Sequence, residues 1–201
     1  MNLFPFSALL ARMKYITRWS LMHAARPESL AEHAADTALL AHMLCLISLR
    51  VLHTPAEEVR PDKVAAAALY HDAPEILTGD LPTPVKYKNT RLRMAYKALE
   101  AESVEQMLSL VPPALRQDLS GCLRGSELTQ RERTLLKAAD RLSAIIKCLE
   151  EGQTGNREFD AALDQLRAAL HAMDCPEAEY FVQTMLPCYT LNLDELTHFE
   201  D

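Results

Sequence analysis

Glycine is scarce in this chain of 201 residues. There are five, and they fall in only three places: Gly79, Gly121 with Gly125, and Gly152 with Gly155. Each place is rich in polar or turn residues and reads as a break between long helical stretches. Alternating strand patterns are almost absent, while Ala, Leu, Glu and Arg dominate the long stretches. These shortages exclude a sheet-based fold and predict an all-α, single-domain bundle over residues 1–201. Paired cysteines are also missing. Cys45, Cys122, Cys148, Cys175 and Cys188 are odd in number and scattered, with no C-x-x-C pair. That argues against a zinc ribbon or disulfide framework and points to reduced thiols in a cytoplasm. There is no basic excess: 21 Lys and Arg against 28 Asp and Glu give a net charge of −7. A nucleic-acid polymer is therefore not the expected partner, although one or two local cations could still hold a small anion. No apolar run approaches the length of a membrane span, so no membrane is expected. No internal repeat, low-complexity segment or domain boundary stands out.

What is present is an ordinary globular composition, 49% apolar and 24% charged, in a chain long enough to bury a core. The first acidic residue is Glu28, preceded by Arg12, Lys14, Arg18 and Arg26. A basic, acid-poor start can be a transit peptide. The helix pattern running into Arg18-Trp19, with no small-residue cleavage signature, favours a first helix of the fold.

Leu3, Phe6, Leu9, Leu10, Met13 and Ile16 predict that helix over 3–17, closed by Arg18-Trp19-Ser20. Ser29, with Glu32 three residues on, forms a capping box for a second helix reaching Val51. A third runs over 62–73, where Pro74 ends or bends it, and the loop 78–84 follows. Further helices are expected over 91–110, 114–119, 131–150 (ended by Gly152), 160–173 and 177–186. The acidic tail from Asn192 to Asp201 carries no assigned role.

Chemistry concentrates at Ala68-Leu69-Tyr70-His71-Asp72-Ala73-Pro74-Glu75. An apolar helix runs straight into adjacent His and Asp, and a carboxylate follows on the same face. His71 and Asp72 point about 100° apart and can meet one ion only if it sits beside a helix end, which the Pro74 break supplies. A helix terminus with a hydrogen-bonded His and exposed acids is the plainer reading. His33 lies on the apolar stripe of its helix with Leu40, Leu44, Ile47 and Val51, as a core histidine or as a ligand. Asp140 interrupts the apolar pattern of Leu135, Leu136, Ala138, Ala139, Leu142, Ile145 and Ile146. A carboxylate there needs a partner, either Lys137 or Lys147, or a metal ion. Two imidazoles and two carboxylates from three helices suit a borderline to hard divalent ion, one able to lower the pKa of water and polarise a phosphoryl oxygen.

The arrangement resembles the HD-domain phosphohydrolases and, within them, the bacterial 5′-deoxynucleotidase family. The matching blocks are Arg18-Trp19, Glu32-His33, the run from Leu69 to Tyr87 and Lys137-Ala138-Ala139-Asp140, together with Lys147-Cys148-Leu149-Glu150-Glu151. Pro74 departs from the family pattern, where a small hydroxyl residue is expected; this bears on the path into Glu75 and leaves the ligands intact. The resemblance implies an HD-type helical bundle, a homodimer, that hydrolyses deoxyribonucleoside 5′-monophosphates. It implies His33, His71, Asp72 and Asp140 around one divalent ion (Co, Mn, Zn, Fe or Cu), with Asp72 and Asp140 also facing substrate. Glu75 is implied as an acid–base group and Arg18 as the residue orienting the phosphate. Trp19 is implied against the sugar or base, and Asp80, Leu81, Pro82 and Thr83 along the sugar. Singly, each has a plainer role: Arg18 a cation at a helix end, Trp19 a core or interface residue, Asp80 and Thr83 parts of a turn. Two alternatives remain: another HD-type phosphohydrolase acting on nucleoside triphosphates or cyclic nucleotides, and a non-catalytic nucleotide-binding module.

Overall fold

The computed structural model describes residues 3–86 and 88–198. Among these, eleven α-helices and four 3-10 turns appear, with no strand beyond an isolated Thr17–Ser29 bridge. The helices are α1 (Phe6–Leu10), α2 (Leu30–Arg50), α3 (Pro61–Tyr70), α4 (Glu75–Thr78), α5 (Thr83–Lys86), α6 (Thr90–Ser109), α7 (Arg116–Arg124), α8 (Gln130–Gln153), α9 (Asp160–His171), α10 (Pro176–Thr184) and α11 (Leu193–Thr197).

α2 begins as its sequence predicts. Ser29 accepts from Glu32 N–H while the Glu32 carboxylate returns to the Ser29 backbone, so two N-terminal donors are satisfied reciprocally. The helix packs on α3 and α8. Its inward face, with Ala38, Leu40, Ala41, Leu44 and Ile47, joins Val64, Ala67 and Ala68 of α3, Leu135, Ala138, Leu142 and Ile145 of α8, and Phe181 of α10. A second apolar cluster gathers Phe6, Met13, Leu30, Ala34, Ala73, Val104, Met107 and Leu123. Along α2 the change from one cluster to the other falls between Ala34 and Ala38, and along the chain after α3 it falls between Ala68 and Ala73. His33, His71 and Asp72 sit at this seam.

Several boundaries differ from expectation. The first helix is one short turn and a half followed by a 3-10 turn over Ala11–Tyr15. Beyond it Arg18 N–H donates to Glu28 O and Leu30 N–H to Ile16 O, so backbone pairing with the entry to α2 ends the helix early. The stretch expected over 114–119 becomes a 3-10 turn and then α7, which passes through Gly121 to Arg124. Gly121 does not break this helix; a Cβ there would meet Glu127 Oε1 at 2.8 Å, so a side chain passing over the backbone accounts for the residue. Gly152 likewise lies inside α8, and the turn beyond it is taken by Gly155 at φ +82°, a left-handed conformation that glycine adopts at no steric cost. Within the expected 78–84 loop, Thr78 closes α4 and Thr83 opens α5. Val51, expected on the buried stripe, is exposed at the end of α2. Asn192 caps α11, a helix not expected within the acidic tail; Tyr87 and residues 199–201 lie outside the described residues.

The sequence-based expectation about membrane spans also needs correction. α2, 21 residues long, contains a window of mean hydropathy 1.3 that has the length and composition of one. Glu32, His33, Asp36 and His42 obscure that run by eye. In the fold, 56% of this stretch is buried, and its apolar side chains make the core.

Candidate metal centre

Four side chains from three parts of the chain converge. His33 projects from α2, His71 caps the C-terminus of α3, Asp72 follows in the turn, and Asp140 projects from α8. Each offers one ligand atom, and the four atoms lie within 4.8 Å of one another. His33 Nε2 is 3.1 Å from Asp140 Oδ1 and 3.5 Å from Asp72 Oδ2, while His71 Nε2 is 3.1 Å from Asp72 Oδ2 and 3.8 Å from Asp140 Oδ1.

The orientation of the imidazoles argues for a ligand set. His33 Nδ1 is 3.1 Å from Ser143 Oγ, and His71 Nδ1 donates to Ala68 O at 2.7 Å. Both Nε2 atoms are buried, and neither makes a well-aligned hydrogen bond among the described residues. The carboxylate oxygens are near in distance but poorly placed in angle, as expected when nitrogen and oxygen lone pairs aim at a shared point rather than at each other. An outer partner that fixes the second ring nitrogen is the usual companion of a ligating histidine. Buried polar atoms left without partners are rare enough to call for an explanation. The residues therefore fit a divalent ion.

The charges agree. Burial works against protonation of His71, but Asp72 and Asp140 outweigh it and hold its pKa well above the ordinary imidazole value. His33 is raised in the same way against its own burial. Burial opposes ionisation of Asp72 and Asp140 too, yet the two imidazoles pull both below the usual carboxylate range. The expected lysine partners of Asp140 are not used: Lys137 is exposed, and Lys147 is committed to Glu151 at 2.5 Å.

Around the cluster, Arg18 Nη1 donates to Asp72 Oδ2 at 3.4 Å, and its Nε to Glu28 Oε2 at 3.2 Å. Burial disfavours the guanidinium charge, but Asp72, Glu28, Asp80 and Asp140 keep its pKa raised. Trp19 Nε1 donates to the same Glu28 oxygen at 2.9 Å, and its ring meets Phe159 edge-on with centroids 5.3 Å apart. Trp19 holds φ +59°, a sparsely populated conformation for a bulky side chain. Glu28 thus ties both neighbours into one unit. In the sequence Glu28 stands out only as the first acidic residue, and Ser143, on the buried face of α8, carries no assigned role. A polar residue three positions from Asp140 on an apolar stripe was the available signal for Ser143. Glu28 offered none, because its partners lie across a loop.

Glu75 opens α4 and is buried, with Oε2 unpartnered among the described residues. Burial first, then the charges of Asp72 and Asp80, push its pKa up to about 9. Pro74 keeps the path helical at φ −57° and ψ −24°, and Glu75 N–H reaches Asp72 O at 2.9 Å, so the departure from the family pattern leaves Glu75 beside the cluster. Asp80 follows Gly79 and is also raised by burial, with Arg18 pulling the other way. Tyr96 of α6 donates to Gly79 O at 2.9 Å and pins this turn. Leu81 and Pro82 are half-buried, and Thr83 is exposed at the start of α5. Among the described residues Thr83 makes no hydrogen bond to the cluster, so its place in the site rests on the resemblance.

A family model described as 5′-deoxynucleotidase YfbR-like matches residues 5–189. This chain belongs to that family. A 5′-deoxynucleotidase from Vibrio parahaemolyticus is 40% identical over 192 residues, spanning 96% of this chain and 97% of its own. Among solved structures, an HD-domain phosphohydrolase from Listeria innocua matches with a TM-score of 0.78 at 22% identity, over 96% of this chain and 91% of that one. The HD phosphohydrolase DatZ of cyanophage S-2L, solved with dA and one catalytic Zn2+ ion, matches with a TM-score of 0.65 at 21% identity, over 90% and 96%. These two likenesses establish the helical HD-type fold of the YfbR-like chain.

Proposed function

We propose that this chain hydrolyses deoxyribonucleoside 5′-monophosphates to the deoxyribonucleoside and phosphate. The observation that carries the reading is the convergence of His33, His71, Asp72 and Asp140 with both Nε2 atoms unpartnered, in a member of the YfbR-like family. These four residues would hold one divalent ion, Zn, Mn, Co, Fe or Cu, since the donor set accepts each of them. When bound, such an ion polarises a phosphoryl oxygen and makes water a better nucleophile near neutral pH.

The remaining work belongs to the chain. Arg18 donates to a phosphate oxygen; Glu28 and Asp72 hold its guanidinium plane on two sides, so little orientation is lost when substrate arrives. Trp19 supplies a wall against the sugar or base, a position from which a 2′-hydroxyl can be disfavoured. Asp80, Leu81, Pro82 and Thr83 line the sugar, with Asp72 and Asp140 facing the phosphate side. Attack of water on phosphorus forms one P–O bond and breaks the bond to the 5′-oxygen. Glu75, whose pKa burial and the charges of Asp72 and Asp80 push up, gives a proton to the departing oxygen and regains one from the attacking water. Homodimeric assembly and a cytoplasmic location belong to the same reading. The free state of all five cysteines accords with that compartment.

The test is a panel of ribo- and deoxyribonucleoside mono-, di- and triphosphates assayed for released phosphate. Release confined to deoxyribonucleoside monophosphates is expected. Release only from triphosphates would move the chain to another HD-type activity, and tight binding with no release would make it a binding module.

A further inference from the structure

A groove of about 600 Å³ opens beside α8, lined in part by His71 but not by Asp72 or Asp140. Its size is that of a small-molecule site. Its walls carry Arg124, Arg133, Lys137 and Arg141, four cations around one opening in a chain of net charge −7. Arg133, Lys137 and Arg141 stand at successive four-residue steps along α8, so their charges line one face about 6 Å apart. Like charges at that spacing disfavour a helix, and an unrelieved stripe calls for an anion. Arg124 is tied to Glu105 and Ser120, and Arg141 lies against Met173 Sδ. The other arginines and lysines around α8 have carboxylate partners, Arg131 with Glu177 and Lys147 with Glu151. Among the described residues, Arg133 and Lys137 form no such pair. Thr134 and Gln130 add neutral donors on the same wall, and Leu123, Leu128 and Leu136 make an apolar floor.

We propose that this groove binds a polyphosphate-bearing nucleotide, with the phosphate chain along Arg133 and Lys137 and the base on the apolar floor. The stripe of evenly spaced cations suits a chain of linked phosphates better than a single one. The site shares only His71 with the catalytic cluster, so it stands whether or not the catalytic reading does. Occupancy would be felt at the metal centre through that shared residue.

The experiment is calorimetric titration of the full-length, metal-loaded protein with inorganic triphosphate and, separately, with ATP, both in excess magnesium. The wild type is compared with Arg133→Glu/Lys137→Glu, and with the milder Arg133→Gln/Lys137→Gln should charge reversal impair folding. Binding of both probes is expected, ATP the tighter. Each neutralised cation should weaken it about tenfold, with metal content unchanged and with a saturating deoxyribonucleoside monophosphate failing to displace the probe. Undiminished binding by the variants, complete displacement by the monophosphate, or no binding by the wild type would each overturn the proposal. Equal binding of the two probes would remove the base from it and leave a triphosphate site.

Discussion

Two charged clusters in this molecule have opposite characters. In one, Glu151 accepts from Lys147 Nζ at 2.5 Å, Ala25 N–H at 2.7 Å, Asn156 Nδ2 at 2.8 Å and Arg26 N–H at 3.2 Å. Lys147 in turn donates to Arg26 O at 2.5 Å. Both side chains are almost wholly buried, and both find partners. The other is the His33, His71, Asp72 and Asp140 cluster, in which only His33 is fully buried and two imidazole nitrogens make no well-aligned hydrogen bond among the described residues. Clustered charge is common to both, so charge alone does not mark a ligand site. Satisfaction distinguishes them: a closed network fixes structure, and an open one waits for a ligand. The closed network also has a task, since it clamps the segment after Trp19 to α8.

The largest effects should come from emptying the open cluster. Asp140→Ala and His71→Ala are expected to lose bound metal on dialysis and phosphate release with it, measured by elemental analysis beside the activity assay. Metal retained by both would show that the ion lies elsewhere. Next is Glu75→Gln, which keeps a hydrogen-bond donor but cannot transfer a proton. It should keep its metal and lose roughly 10²- to 10⁴-fold in kcat. Loss of metal in this variant would make Glu75 a ligand rather than an acid.

How much of this contrast could be read in the sequence depends on the range of each interaction. The Ser29–Glu32 box and the inward placement of His33 and Asp140 follow from local periodicity, and so could be read directly. The equivalent box at Thr129 and Glu132, which starts α8, is as local but stands beside a stronger apolar pattern. Glu28 meets Arg18 and Trp19 across a loop, Ser143 meets His33 from a distant helix, and the Lys147–Glu151 pair, itself an i,i+4 pair on α8, reaches back to Ala25 and Arg26 far along the chain. Helical spacing offers the Lys147–Glu151 pair and puts Ser143 on the buried face of α8, but it does not encode those distant partners. Gly121 shows the limit from the other direction: its absent side chain answers to Glu127 on the next turn of chain, so its composition suggested a break where packing required a helix.

Smaller effects should come from the closed network. Glu151→Ala leaves Lys147 buried without its partner and is expected to cost about 3 kcal/mol in urea unfolding. The freed segment should raise KM more than it lowers kcat, with metal content unchanged. A variant as stable as wild type would deny the clamp its role. The mildest probe is acid. Glu151 is held down to about 2 by Lys147 and the Ala25, Asn156 and Arg26 donors against the penalty of burial, from an ordinary 4.5. Glu132 is likewise held at about 2 from 4.5, by Arg60 and Thr129 against burial. Because both folded values are depressed, their contribution is complete above pH 4.5 and is lost as pH falls toward 2. Unfolding free energy followed over that window should fall progressively, and Glu151→Gln should flatten the slope. An unchanged slope would remove Glu151 from the acid response.

The central claim is that the open cluster holds an ion on which catalysis depends. It is tested most directly by phosphate release from a deoxyribonucleoside 5′-monophosphate, using protein stripped with chelator and then resupplied with Zn, Mn or Co. Release should vanish on stripping and return with at least one of these ions. Undiminished turnover by the stripped protein would contradict the account.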